Sequence, residues 1–182
     1  LASPKTSGTV ANTFGFSGNA ASVHGCFLGP TGRIYWCDGR HGHEFKNEKG
    51  ELFSKGKAAR IFSCRPNGDG VQVFCGGGMD NPVEVDFTNE GEMFGTVNIL
   101  LGRPREDCLM HWVEGGVYPR YDQETCVAEF KSTGELLQPM TKLGHVAVSG
   151  MTRYRSDHFG PEYRGNVFTA IFNTHKVVRS IV

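Results

Sequence analysis

The chain has 182 residues, and its 19 lysines and arginines balance 19 aspartates and glutamates, so the formal charge is zero. That balance excludes an electrostatic nucleic-acid binder, because neutralising a phosphate backbone needs a surplus of cations. No run approaches about 18 consecutive apolar residues and no basic-then-apolar leader is visible, so no membrane span is expected.

The length predicts one domain. Glycine contributes 25 residues, about twice the usual share of roughly 7%, which predicts many tight turns. The chain starts at Leu1 and its first methionine is Met79, so a fragment or a processed chain is expected. The six cysteines, Cys26, Cys37, Cys64, Cys75, Cys108 and Cys126, are isolated from one another. None forms C-x-x-C or C-x-x-C-H, so no zinc ribbon, thioredoxin-type motif or covalent haem is expected within these residues. Cys26 and Cys37, like Cys64 and Cys75, are 11 residues apart. A disulfide there would need adjacent antiparallel strands to set such a pair side by side; buried free thiols on strands are the preferred reading.

Short alternating runs punctuated by glycine recur from end to end without long amphipathic periods, and this pattern predicts an all-β chain. The stretch 23–36 reads as strand, turn, strand around Gly32. Residues 38–58 read as an inserted loop. Residues 60–74 read as a hairpin turning at Asn67-Gly68-Asp69-Gly70. Gly76-Gly77-Gly78 lacks a following helical pattern and therefore is no phosphate cradle. Residues 83–94 repeat the strand–turn–strand shape around Gly91, and 148–172 repeat it around Gly165. Each turn glycine supplies a positive φ at little cost. Residues 101–142 read as a long inserted loop, with a short helix between Glu129 and Leu143, and 155–162 as another loop. Repeated hairpins, with turn glycines 59 and 74 residues apart, favour a β-propeller over a sandwich. Residues 1–182 would then be a partial propeller of three to four blades, an incomplete piece of a larger ring.

The stretches Gly29-Pro-Thr-Gly-Arg-Ile-Tyr-Trp36, Arg60-Ile-Phe-Ser-Cys-Arg-Pro-Asn-Gly68 and Gly76-Gly-Gly-Met-Asp-Asn-Pro-Val-Glu-Val85 carry a resemblance. They resemble the glucose/sorbosone dehydrogenase propellers that use pyrroloquinoline quinone (PQQ). Together with His111-Trp-Val-Glu-Gly-Gly-Val-Tyr-Pro119, Gly144-His-Val-Ala-Val-Ser-Gly-Met151 and Phe159-Gly-Pro-Glu-Tyr-Arg-Gly-Asn166, they are similar to a bacterial group of membrane-bound dehydrogenase propellers. The resemblance runs from about Phe14 onward. It implies a six-bladed ring with the quinone on its open face, an extracytoplasmic or periplasmic setting, and a sugar or alcohol substrate. It also implies a calcium ion and a c-type haem domain elsewhere in the parent protein, with no haem in this chain.

On that resemblance His24 is the candidate base, since imidazole accepts and returns a proton near neutral pH. It falls about three residues later than the family's histidine, a match of neighbourhood and not of position. Asn81 stands in the family's Asn-Pro. Asp80 replaces the arginine before it, where a carboxylate would repel an anionic quinone unless a cation intervenes, or would itself bind calcium. His145, at the entry to an inner strand, and His175, Lys176 and Arg179, after the last one, are the implied cofactor contacts. Arg153 and Arg155 alternate along a strand, where they meet either an anion or solvent.

Asp38-Gly-Arg-His-Gly-His-Glu44 reads independently of the resemblance. In an extended segment His41 and His43 point the same way, and Asp38 or Glu44 would complete a metal shell; a solvated polar loop is the alternative. His24 and His145 have structural readings as buried, satisfied histidines, and the 175–179 stretch as a basic edge strand. Trp112 and Tyr118 either cover a sugar face or pin a loop to the core, the pin being preferred. There is no Walker A sequence, Gly-x-Ser-x-Gly elbow or His-Glu-x-x-His. Two functions are expected: the PQQ-dependent sugar or alcohol dehydrogenase that the resemblance implies, or a non-catalytic propeller binding carbohydrate or a protein partner.

Overall fold

The computed structural model describes residues 10–15, 21–47, 49–102, 104–120 and 124–182. The chain begins with β1 (Val23–Leu28) and β2 (Ile34–Asp38), then a hairpin of β3 (His43–Lys46) and β4 (Leu52–Gly56), then β5 (Ala59–Cys64) and β6 (Gln72–Gly77). Next come β7 (Asn81–Pro82), β8 (Asp86–Phe87), β9 (Met93–Gly102), β10 (Arg105–Trp112) and β11 (Val117–Tyr118). A helical turn, α1 (Glu124–Glu129), leads to β12 (Thr141–Gly144), β13 (Val148–Arg153), β14 (Val167–Ile171) and β15 (Lys176–Ser180).

These strands form three successive meanders and the separate two-stranded β3–β4 sheet, and the chain is all-β as its alternation predicts. The first sheet has the order β1-β2-β5-β6, antiparallel throughout, with β11 added parallel to β6. The second has β12-β10-β9 with β7 and β8 both laid on β9, and the third has β13-β14-β15.

Period-two alternation assigns each strand's side chains to two different cores. Tyr35 and Cys37 of β2 face the second sheet and pack with Val97 of β9 and Cys108, Met110 and Trp112 of β10. Their neighbours Ile34 and Trp36 face the opposite way, towards Phe45 of the β3–β4 hairpin. Likewise Phe94 and Leu109 leave the first core and meet Val167 and Met151 of the third sheet. The sheets therefore stack in chain order.

The first strands of the three meanders run side by side in one direction. Beside β1, His24 touches Asn81 at one end, and Gly29 abuts the ring of Phe87 at the other. Beside β13, the Val148 carbonyl accepts from Asn98, the partner of Asn81 across β7 and β9, while the Arg153 amide donates to Asp86. Asp107 of β10, 1% exposed, accepts the amides of Val146 and Val148 at 3.2 Å each, fixing the entry to the third sheet.

The expected turn glycines are where the reversals fall. Gly32, Gly91 and Gly165 have φ of +80°, +94° and +85°. A Cβ on Gly32 or Gly91 would meet nothing within 4 Å, so backbone conformation and not crowding selects glycine there. The β5–β6 hairpin turns at 65–70, as its Asn-Gly-Asp-Gly run predicts. Gly77 has a different role: at φ +142° its missing Cβ would lie 2.4 Å from the Tyr118 carbonyl oxygen, so glycine admits the parallel β11.

Three expectations need correction. Residues 38–58 are not a plain loop, because Phe45 drives the β3–β4 hairpin onto the first sheet. Residues 101–142 contain β10, β11, α1 and β12, with Cys108, Met110 and Trp112 supplying core. The helical turn lies at Glu124–Glu129, ahead of the expected Glu129–Leu143, and Glu129 ends it by accepting the Lys57 and Ala58 amides and pairing with Arg60. Cys26, Cys37, Cys64, Cys75 and Cys108 are free thiols. The strand register sets Cys37 opposite His24 and Ile61, and Cys75 opposite Ile61, so the spacing of 11 does not bring thiols together.

Trp112 and Tyr118 are the pins the sequence favoured: both are buried, with their rings edge-on at 5.0 Å. The Tyr118 hydroxyl donates to the His111 carbonyl at 2.6 Å and accepts from the Val113 amide at 2.8 Å. Tyr118→Phe strips the His111 carbonyl and the Val113 amide of this partner and is expected to cost about 1 kcal/mol, read as a fall in denaturant midpoint with unchanged m. An unchanged midpoint contradicts the pinning role.

Candidate functional site

The residues that gather at the shared starting end of the three first strands form the candidate site. Asn81 is 4% exposed, and its Oδ1 lies 2.9 Å from His24 Nε2. An amide oxygen can only accept, so Nε2 carries the ring proton and Nδ1 the basic lone pair. The Asn81 amide nitrogen faces Asn98 Oδ1 at 3.5 Å, and Asn98 Nδ2 donates to the Val148 carbonyl at 2.5 Å. One polar relay thus crosses from the first sheet to the third. His145 lies just before Val148 and is exposed.

Asp80 precedes Asn81 and stands among cations. Arg40 Nε lies 3.0 Å from its Oδ1, an Arg120 amino group lies 3.9 Å away, and the Arg40 amide donates to the Asp80 carbonyl at 2.9 Å. Burial raises the Asp80 carboxyl above the usual aspartate range, while Arg40, Arg120, His41 and Arg105 oppose that rise. The arginines supply the counter-charge that a calcium ion would otherwise provide, and they make the surroundings of this carboxylate cationic.

The third sheet divides the remaining candidates between its two ends. The β14–β15 turn carrying His175 and leading into Lys176 adjoins residues 146–147, because the Phe172 and Asn173 amides donate to the Ala147 and Val146 carbonyls. His145, His175 and Lys176 therefore belong to the His24 end and are exposed. Arg153 and Arg179 belong to the other. Arg153 pairs across β14 with Val167, which faces Ser180, and its guanidinium donates to Asn89 at 2.8 Å. Arg179 lies over the Tyr163 ring at 4.5 Å. Arg155 pairs with Asp86.

Asp38, His41 and His43 are arranged differently from an extended metal-binding segment. β3 starts at His43, so the alternation that would align the two histidines does not reach His41. His43 is buried against Phe45 and Phe62, with Nε2 2.8 Å from Ser54 Oγ and Nδ1 3.5 Å from Asp38. Burial raises the Asp38 carboxyl. Glu44 turns to Lys55 and Lys46, whose hydrogen bonds pull its carboxyl down to about 2. Among the described residues no three histidine, cysteine, aspartate or glutamate side chains converge as a metal-holding group. Burial also raises the Cys37, Cys75 and Cys108 thiols, the last to about 12, so they remain protonated near neutral pH.

Hollows lined by described residues lie away from these side chains, two of them beside the core aromatics. One of about 200 Å³, at the far end, is lined by Tyr35, Phe87, Glu92, His111 and Trp112, with Glu92 and His111 paired at 2.7 Å. The other, about 270 Å³, is apolar and opens on the outer face of the first sheet beside Phe14, Val23, Ile34 and Trp36.

Asn98, Arg40, Arg120 and Glu84 were missed by the sequence reading. An asparagine inside the apolar run around Val97 was a legible signal, whereas the arginines' convergence on Asp80 is purely tertiary. No family model matches this chain, and no curated protein matches it.

Burial raises Glu84 to about 7, and Asp86 adds to the rise. Folding therefore favours its protonated form, so its favourable contribution is complete below about 4.5, the ordinary glutamate value, and is lost as the pH rises through about 7. Glu84→Gln is expected to raise Tm relative to the parent increasingly between these pH values, with the difference constant above them. A pH-independent difference contradicts the burial of this carboxyl.

Proposed function

We propose that the three meanders are consecutive blades of a six-bladed propeller, and that the chain acts as an extracytoplasmic PQQ-dependent sugar or alcohol dehydrogenase-like module. The observation that carries this reading is the His24–Asn81 hydrogen bond at the end where all three first strands begin. Side-by-side first strands of stacked meanders are the arrangement that propeller blades require.

The bound quinone would supply the hydride acceptor. His24 Nδ1 takes the proton from the substrate hydroxyl as the carbonyl forms, and later releases it to solvent. Asn81 keeps the ring in the tautomer this step needs. Asn81, 4% exposed with both ends of its amide facing His24 and Asn98, acts through His24, and the exposed His145, His175 and Lys176 would hold the quinone's polar and anionic groups. The cations around Asp80 offset the repulsion that its carboxylate would otherwise exert.

A specific observation favours a second reading, a non-catalytic propeller that binds carbohydrate or a protein partner. Arg153 and Arg179 are engaged by Asn89 and Tyr163 at the far end, so they do not join the other cofactor candidates.

Titration of the protein with PQQ and calcium, followed by dye reduction with glucose as donor, separates the two. The enzyme reading expects saturable quinone binding. It also expects His24→Ala to lose about a hundredfold or more in turnover while quinone binding persists. Absence of binding under any metal condition leaves the binding module.

A further inference from the structure

The sugar or alcohol reading leaves open what selects the ligand, and the surroundings of Asp80 bear on that choice. Arg40 follows Gly39, whose amide donates to the Ser22 carbonyl at 3.0 Å, so the arginine emerges beside the approach to β1 and His24. Its Nε faces Asp80, and its side chain is 31% exposed. Among the described residues neither terminal amino group of Arg40 has a hydrogen-bond partner. The ion pair with Asp80 is thus made on the Nε side of the guanidinium, and the terminal amino groups are left unengaged among the described residues. Two such groups in one plane match a carboxylate with two parallel hydrogen bonds, which a lysine cannot reproduce. Arg120 adds a second positive charge near the same aspartate, 3.9 Å from its Oδ1.

We propose that Arg40 is a ligand-binding residue that receives a carboxylate, and that the site takes an acidic ligand whose hydroxyl group lies at His24. A sugar acid such as gluconate has this chemistry. The quinone itself also bears carboxylates, so the same fork has two sources of ligand. Asp80 orients Arg40 and competes with the incoming anion, since both are carboxylates drawn to one guanidinium. The inference rests on the reading of the His24 end as the ligand face, but it does not require turnover.

Calorimetric titration of the full chain with gluconate, glucose and PQQ tests it, with Arg40→Gln and Asp80→Asn alongside and circular dichroism as a check on folding. The expected results are gluconate binding roughly tenfold or more tighter than glucose, lost in Arg40→Gln, and tightened in Asp80→Asn. If Arg40→Gln weakens PQQ binding alone, the carboxylate belongs to the quinone and Arg40 keeps its role. If folded Arg40→Gln binds gluconate and PQQ as the parent does, or none of the parent's affinities depends on a carboxylate, the proposal is overturned. Arg40-dependent gluconate binding without dye reduction would remove the dehydrogenase reading and leave this one standing. Glucose-dependent dye reduction with no Arg40 dependence would do the reverse.

Discussion

Three sheets that share no strand ladder are tied together at one end by a line of side-chain hydrogen bonds, alongside the Arg40 amide on the Asp80 carbonyl and the Asp107 carboxylate on the Val146 and Val148 amides. His24 donates to Asn81, Asn81 faces Asn98, and Asn98 donates to the Val148 carbonyl. Apolar packing between stacked sheets is strong but non-directional, and it tolerates sliding along the strands. A hydrogen-bond line does not: each amide has one oxygen and one NH2, so a shift by one residue leaves buried polar groups unpaired. The relay fixes where the first strands start relative to one another, and that alignment sets His24, Asp80 and His145 at a common end.

The other end is closed by different means. Asp86 receives the Arg153 amide and pairs with Arg155, and the Gly32, Gly91 and Gly165 turns reverse the strands there. Most of its charges are engaged by neighbours, whereas at the His24 end Arg40 presents terminal amino groups without partners among the described residues. This asymmetry between the two ends supports assigning chemistry to the His24 end, because binding requires groups whose hydrogen-bonding capacity is not yet used.

Local chemistry explains which features were readable from sequence. Turn glycines and the Asn-Gly-Asp-Gly hairpin were legible because a positive φ or a tight reversal restricts the residue at that very position. The β3–β4 hairpin was read as loop because its Gly, Lys and Glu content masks it, and β10 because it opens on Arg105-Glu106-Asp107; both gain their stability from Phe45, Met110 and Trp112 meeting partners far along the chain. His24 and Asn81 were named separately, but their contact spans 57 residues and appears only once the first two sheets are stacked. The expected cofactor set was split for a related reason: Arg153 and His175 are close to the same strands in sequence, yet a strand carries them to opposite ends.

Amide hydrogen exchange on Asn98→Ala tests the central claim most directly. If the asparagine relay aligns the sheets, protection should fall together at the starts of β1, β7 and β13, while the turns at Gly32, Gly91 and Gly165 remain as protected as in the parent. Loss confined to β9 and its ladder neighbours would show that the three sheets are registered without the asparagine relay, and the central claim would be contradicted.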